Sequence, residues 1–258
     1  MDALIGYTGF VGSNLAESRK FGAYFNSSNF KEMAGRHFDT IVCAATPAVK
    51  YLANKNPEED AAKIEQLSSV LANVTADHFV LISTIDVYPE VAAGHTENHT
   101  FPNPHPEAYG RHRYEFEQYI RWLFPSVTVV RLPALFGHGL KKNVIFDLLN
   151  DNGLDKISLD SSFQWYPLAW LWSDITATRL NDIDTVNLFP EPILTRDIVT
   201  RFFPEKLEAL SKNRVVPVRY DTRTKNGYFL GGTPDYAMNA DEIFQAMREF
   251  ISAYKRGR

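Results

Sequence analysis

The stretch Ala3-Leu4-Ile5-Gly6-Tyr7-Thr8-Gly9-Phe10-Val11-Gly12-Ser13-Asn14-Leu15 decides how the chain is to be read. A short apolar run leads into three glycines at GxxGxxG spacing, and the residues beyond Gly12 read as a helix opening. Strand, glycine turn and helix together make a receptor for a dinucleotide pyrophosphate. Free backbone N–H groups and the positive end of the helix dipole face the phosphates there. The glycines differ in what they do: one turns the chain, one lets the pyrophosphate come close, and one lets helix pack on strand. The spacing departs from the GxGxxG of the general fingerprint, so the rest of the chain must bear on the reading.

A chain of 258 residues has room for one large α/β domain or two small ones. Its 45% hydrophobic and 22% charged residues are ordinary for a soluble globular protein. A formal net charge of −4 gives no electrostatic ground for a nucleic acid or an anionic membrane as partner. Cys43 is the single cysteine, which excludes a disulfide within the chain. Asp2 and a first apolar run of only three residues do not read as a signal peptide, and no apolar stretch approaches a membrane span. The expectation is a soluble, cytoplasmic protein.

Going outward from the glycines, residues 21–25 read as a second strand that ends at Asn26-Ser27-Ser28-Asn29. A unit that prefers NAD commonly carries Asp or Glu near this place, to hold the ribose hydroxyls. Here there is none, and Ser27, Ser28 and Lys31 can meet a 2′-phosphate, which leans towards NADP; an ordinary polar loop would look the same. Residues 38–47 form a continuous apolar run, as a parallel strand buried on both faces requires. Its small end residues Ala44 and Ala45 leave space beside a cofactor, or answer simple crowding at a strand end. Residues 57–75 have the period of an amphipathic helix, with Ala61, Ile64, Leu67, Leu71 and Val74 on one face. Residues 78–89 form another buried strand that turns polar at its carboxyl end, where open parallel sheets build their sites.

A polar loop over residues 90–106 carries His95, His99 and His105, whose irregular spacing does not make a metal-ligand pattern. Residues 107–124 read as a helix with Tyr109 and Arg113 one turn apart on one face. Taken alone, that pair is an aromatic ring packed by an arginine stem. A strand over 127–133, a short helix over 143–149 and a closing amphipathic helix over 240–254 complete the pattern. Three of the four tryptophans fall within residues 163–172, a density that belongs to core or interface more than to a substrate platform. Strand–helix alternation before residue 140 predicts an α/β fold, a Rossmann-type doubly wound parallel sheet. The expected division is a dinucleotide-binding domain over 1–155 and a smaller substrate-binding part over 156–258, which returns a strand near 185–189 to the sheet.

These stretches resemble the extended short-chain dehydrogenase/reductase family, the NAD(P)-dependent epimerases, dehydratases and reductases of nucleotide sugars. Four elements carry the resemblance, in the family's order and at about its spacing. They are Gly6 to Gly12, Ser83-Thr84-Ile85-Asp86-Val87-Tyr88, Tyr109-Gly110-Arg111-His112-Arg113, and Arg131-Leu132-Pro133-Ala134-Leu135-Phe136-Gly137. The resemblance implies NAD or NADP as cofactor, with Gly6, Thr8, Gly9, Phe10, Val11, Gly12, Asn26, Ser27, Ala44, Ala45, Tyr109, Arg113 and Pro133 around it. It implies Thr84, Tyr109 and Arg113 as the catalytic set: Thr84 bonds the reacting oxygen, and Tyr109 exchanges a proton with it while hydride moves to or from the nicotinamide. Asp86, Asn143, Gln164 and Arg223 are the implied contacts of the nucleotide sugar. A homodimer through the helices that follow residues 57 and 107 is implied as well, and no metal.

Two departures from the family pattern bear on the chemistry. Arg113 stands where the family has Lys; it keeps the charge and can fork onto ribose hydroxyls, but it is bulkier and cannot relay a proton. For Tyr109 to serve as a base near neutrality, its phenol must fall by about 3 units from about 10, roughly 4 kcal/mol. A cation one turn away and a positive nicotinamide are the sources of that shift. Ile85 stands where dehydratases of the family carry the Asp of an Asp–Glu pair, so 4,6-dehydration as they perform it is not expected. Epimerisation and reduction of a 4-keto sugar both remain, the short chain bringing the reductase close, and beside them a non-catalytic cofactor-binding scaffold.

Overall fold

The computed structural model describes residues 1–101 and 103–257; Pro102 of the predicted histidine loop lies outside them, as does Arg258. Its first half alternates strand and helix: β1 (Ala3–Ile5), α1 (Phe10–Ser18), β2 (Ala23–Phe25), β3 (His37–Cys43), α2 (Lys50–Lys55), α3 (Pro57–Leu71), β4 (Thr75–Thr84), α4 (Ala108–Leu123) and β5 (Val127–Leu132). Then come β6 (Ala134–Phe136), α5 (Val144–Asn150), β7 (Ser162–Phe163), β8 (Trp165–Pro167), α6 (Leu171–Leu180), β9 (Thr185–Asn187), β10 (Ile193–Leu194), α7 (Thr195–Phe202), α8 (Leu207–Leu210) and α9 (Ala240–Arg256). Six strands form one parallel sheet in the order β2-β1-β3-β4-β5-β9. This is the α/β Rossmann-type fold that the sequence predicts. The chain goes from β1 to β2 on one side and to β3 on the other, so the switch point lies between β1 and β3. Ligand crevices of open α/β sheets form outside the carboxyl ends of strands at such a point.

Side-chain alternation sorts the strand residues onto two faces. Ala3, Ile5, Ile41, Cys43, Phe79, Leu81 and Val129 pack with Ile64, Leu67 and Leu71 of α3 and Phe116 and Ile120 of α4. Leu4, Val42, Val80, Ile82, Val130 and Leu132 face the other way, onto α1, α6 and α9. Both faces are covered, which is why these strands read as unbroken apolar runs. Trp165, Tyr166, Leu171, Ile198, Ile243 and Met247 belong to that second cluster, so the C-terminal segment shares the core of the sheet. The aromatic density around Trp165 is thus core, with Trp165 1% and Tyr166 0% exposed. No helix among the described residues is long and apolar enough to cross a membrane.

Element boundaries differ from the sequence reading where side chains intervene. The fourth strand begins at Thr75 rather than 78 and stops at Thr84 rather than 89. It stops because the Thr84 hydroxyl accepts a hydrogen bond from the Asp86 backbone and starts a 3₁₀ turn over Ile85–Val87. Residues 44–47 leave β3 and form a loop, and α2 follows it, a helix too short for its periodicity to show. The rings of His95 and His99 meet tilted, centroids 3.8 Å apart, within an aromatic cluster with Tyr88 and Phe101, while His105 sits at the start of α4 on the Glu107 backbone.

Candidate active site

The glycine turn occupies the carboxyl end of β1 at the switch point. Gly6 has φ +87°, and a Cβ there would stand 2.5 Å from the Ala44 carbonyl oxygen, so only glycine fits. Gly9 is the N-cap of α1 and brings no side-chain cap, so the first N–H groups of the helix stay free for an anion. Gly12 does not line the cavity described below: a Cβ there would lie 2.0 Å from the Gly6 carbonyl oxygen, and its absence lets helix close on turn.

A cavity of about 950 Å³ runs from this turn along the carboxyl edge of the sheet. Gly6, Thr8, Gly9, Phe10 and Val11 form one end, beside Asn26 and Ser27 at the end of β2. Ala44 and Ala45 beyond β3, and Pro133 beyond β5, form the walls. Thr84, Asp86, Tyr109 and Arg113 stand at the other end, with Asn143 on the rim. The Thr84 hydroxyl donates to Asp86 Oδ2 at 3.3 Å, and its presence beside the Tyr109 phenol acts to lower the phenol's pKa. Fifteen residues singled out in the sequence therefore converge on one cavity.

Two others do not. Gln164 is 1% exposed; its amide donates to the carbonyls of Pro190 and Thr222, both at 2.7 Å, and accepts from the Thr222 backbone at 2.9 Å. It lashes the C-terminal segment together, with no polar atom left for a sugar. Arg223 is absent from the cavity wall; it lies between Asp221 and Asp235, over the ring of Tyr236. Asn143 reaches the rim, yet its amide caps α5 by accepting from Phe146 and donates to Leu135 at 2.8 Å.

The reacting end is more heavily charged than the sequence reading expects. Asp60 of α3, 5% exposed, takes Arg113 through both terminal nitrogens, Nη2 at 2.7 Å from Oδ1, and also meets His112 Nδ1 at 2.8 Å. Burial alone would raise the Asp60 carboxyl; the hydrogen bonds from Arg113 and His112 outweigh it and hold it below its ordinary value. Lys50 bridges Asp86 and Glu107 at 3.0 Å each, and these carboxylates raise its ammonium against the opposing effect of burial. Across the cavity Lys142 donates to the Ala48 carbonyl at 2.9 Å and ties two rims together.

Tyr109 departs from expectation in the direction of its shift. Burial raises the phenol; Arg113 and Thr84 act the other way, Asp86 and Asp60 with it, and the balance leaves it above its ordinary value. The Arg113 guanidinium carbon lies 3.9 Å from the centre of the Tyr109 ring, against its face. Asp60, Lys50 and Lys142 are the residues that sequence reasoning missed. Only Asp60 left a signal: at 60, 64, 67 and 71 it heads the apolar stripe of α3, where an acid has to be paired.

The residues present fit a dinucleotide. Uncapped helix N–H groups and a glycine turn face one end. Arg113 Nε at the other is a buried donor with no partner, as a ribose hydroxyl would satisfy.

A scan against protein-family models finds no match, and a search of curated proteins finds no relative. Solved structures do match. A dTDP-4-dehydrorhamnose reductase from Clostridium acetobutylicum is similar at TM-score 0.70 and 16% identity, over 99% of this chain and 100% of that one. MoeE5, solved in complex with UDP-glucose and NAD, is similar at TM-score 0.66 and 15% identity, over 99% of each chain. A dTDP-4-dehydrorhamnose reductase from Bacillus anthracis in complex with NADP is similar at TM-score 0.60 and 18% identity, over 84% of each chain. The chain thus has the fold of the extended short-chain dehydrogenases/reductases, and its structural neighbours are nucleotide-sugar reductases, epimerases and dehydratases.

Proposed function

We propose that this chain is an NAD(P)-dependent oxidoreductase that acts at a carbinol or carbonyl carbon of a nucleotide-linked sugar. The observation that supports it most is the single cavity joining the glycine turn to the Thr84–Tyr109 pair. A bound nicotinamide supplies or accepts the two electrons of the reaction. The chain's own residues do the rest. Thr84 donates a hydrogen bond to the reacting oxygen, and Tyr109 gives that oxygen its proton or removes it. Arg113 Nε would hold a ribose hydroxyl, and Gly9 with the N–H groups beyond it would receive the pyrophosphate. Ala44, Ala45 and Leu132 supply the apolar wall along which the cofactor would run.

The end of β2 supports NADP over NAD. Asn26 folds its carbonyl back onto Ser28, at 2.9 Å from the backbone N–H and 2.6 Å from the hydroxyl. No carboxylate is offered there to ribose hydroxyls, and Ser27 faces the cavity.

Turnover tests the proposal. Oxidation of NADPH in the presence of a 4-keto nucleotide sugar is expected for the native protein. Tyr109→Phe is expected to lower kcat by about 10²–10⁴, the usual share of a positioned acid–base group, with cofactor still bound. If Tyr109→Phe turns over at the native rate, Tyr109 has no such role. A scaffold would show no turnover in either protein.

A further inference from the structure

We propose that the short helix α2 sets the geometry of the reacting end, and that Asn54 on it is the positioning residue of Tyr109: it holds the first turn of α4 so that the phenol stands beside Thr84. This rests on the proposed oxidoreductase function and gives a part in it to side chains outside the cavity.

Thr84 and Tyr109 reach the cavity on separate pieces of chain, the end of β4 and the start of α4. A helix start needs acceptors for its first N–H groups, which have no carbonyl one turn back to bond. Glu107, the residue that flanks α4, brings no side-chain cap. Asn54 brings one from another helix: its Oδ1 accepts from the Tyr109 backbone N–H at 2.9 Å. Its Nδ2 donates to Glu107 Oε2 at 3.1 Å. One amide thus grips both the residue before α4 and Tyr109 within its first turn.

Lys50 lies one turn before Asn54 and so on the same side of α2. Its ammonium meets Glu107 at 3.0 Å and Asp86, just beyond Thr84, at 3.0 Å. α2 thereby joins the two pieces of chain that carry the reacting pair. Gly110 makes room for this, because a Cβ there would run into the Asp86 carbonyl oxygen. Neither Lys50 nor Asn54 lines the cavity, so each acts through the element it holds. A helix this short has little stability of its own. α2 buries only Ala53 and leaves Tyr51 69% and Leu52 51% exposed, so its polar side supplies the grip on α4. That grip matters for rate, since a misplacement of about 1 Å can cost about 10²-fold.

Fluorine NMR of the whole protein tests this, with 3,5-difluorotyrosine placed at position 109 alone and neither nicotinamide nor sugar present. Asn54 is exposed, so Asn54→Ala is expected to fold, and to move or broaden the resonance. Thr84→Val should move the resonance in the native background and move it less once Asn54 is alanine, since the two act on one geometry. Asn239→Ala removes the cap of α9, far along the chain, and is expected to lower stability without moving the resonance. A resonance unchanged by Asn54→Ala would overturn the proposal. So would an equal change from Asn239→Ala, which would mean general loosening. In turnover of a 4-keto nucleotide sugar, Asn54→Ala should lower kcat about tenfold or more with the Kd for NADPH nearly unchanged. The functional reading fails separately, if calorimetry finds no nicotinamide dinucleotide bound.

Discussion

Replacing Glu117 by alanine should unseat the end of β4 that carries Thr84. Glu117 is 0% exposed, and its partner Arg131 4%. Arg131 donates from Nε at 3.0 Å and Nη2 at 2.6 Å to the two carboxylate oxygens, and Ser83 donates to the same carboxylate at 2.5 Å. Burial works against the Arg131 charge, but Glu117 and Tyr88 outweigh it and hold the guanidinium charged. Glu117→Ala would leave that charge buried with the Tyr88 hydroxyl, at 2.7 Å, as its remaining acceptor from this network. Breaking one side of a buried pair costs about 3–5 kcal/mol. Against a net folding stability of about 5–15 kcal/mol, that is a large share. Urea unfolding is the assay, with stability taken from midpoint and slope together. At about 2–4 °C per kcal/mol for a chain of this size, the melting temperature should fall by roughly 6–20 °C. The double replacement Glu117→Leu with Arg131→Met removes both charges and should lose much less. A loss under about 1 kcal/mol in Glu117→Ala would refute the reasoning, since every buried ion pair so broken leaves an uncompensated charge. So would a double variant as unstable as the single one.

Gly6→Ala should cost about 1–2 kcal/mol for its left-handed backbone alone. The approach of its Cβ to Ala44 adds to that, so dinucleotide binding should be lost as well. Gly35→Ala, also at positive φ but with no atom within 4 Å, should show only the backbone cost and leave binding intact; calorimetry on both variants checks the contrast. Asp174 is pushed up to about 6 by burial, the hydrogen bond from Tyr166 acting the other way. Because its value in the fold lies above the unfolded 3.8, its contribution to stability is full below about pH 4 and is lost as pH rises through 6. Asp174→Asn keeps an acceptor for Tyr166 and should remove that slope, leaving the variant more stable than the native protein at pH 8 by about 2–3 kcal/mol. Thermal melts at pH 5 and pH 8 decide it; equal pH slopes in the two proteins would count against the assignment.

How much of this was legible in the sequence depended on the range of the forces involved. The strand, glycine turn and helix over residues 3–18 could be read because backbone needs are local: Gly6 answers a positive φ and Gly12 a close approach within the same turn. Thr84, Tyr109 and Arg113 were found from their order along the chain, and the parallel sheet brings them to one edge. Their electrostatics could not be read that way. Asp60 meets Arg113 from 53 positions away, and only the packing of α3 on α4 makes that contact. Burial, which also depends on that packing, raises the Tyr109 phenol most and outweighs Arg113, so its direction of shift differs from expectation although it lines the cavity as expected. Gln164 and Arg223 misled for the reverse reason. A polar residue in the C-terminal segment looks the same in sequence whether it faces a ligand or, like Gln164, ties buried backbone together.

The central claim is that the glycine turn and its cavity hold a nicotinamide dinucleotide. Titration calorimetry of the purified protein with NAD⁺, NADH, NADP⁺ and NADPH in turn tests it most directly. Micromolar binding of NADPH and NADP⁺, weaker for the forms without a 2′-phosphate, is the predicted result. Binding of none of the four, by protein shown to carry no nucleotide already, would contradict it.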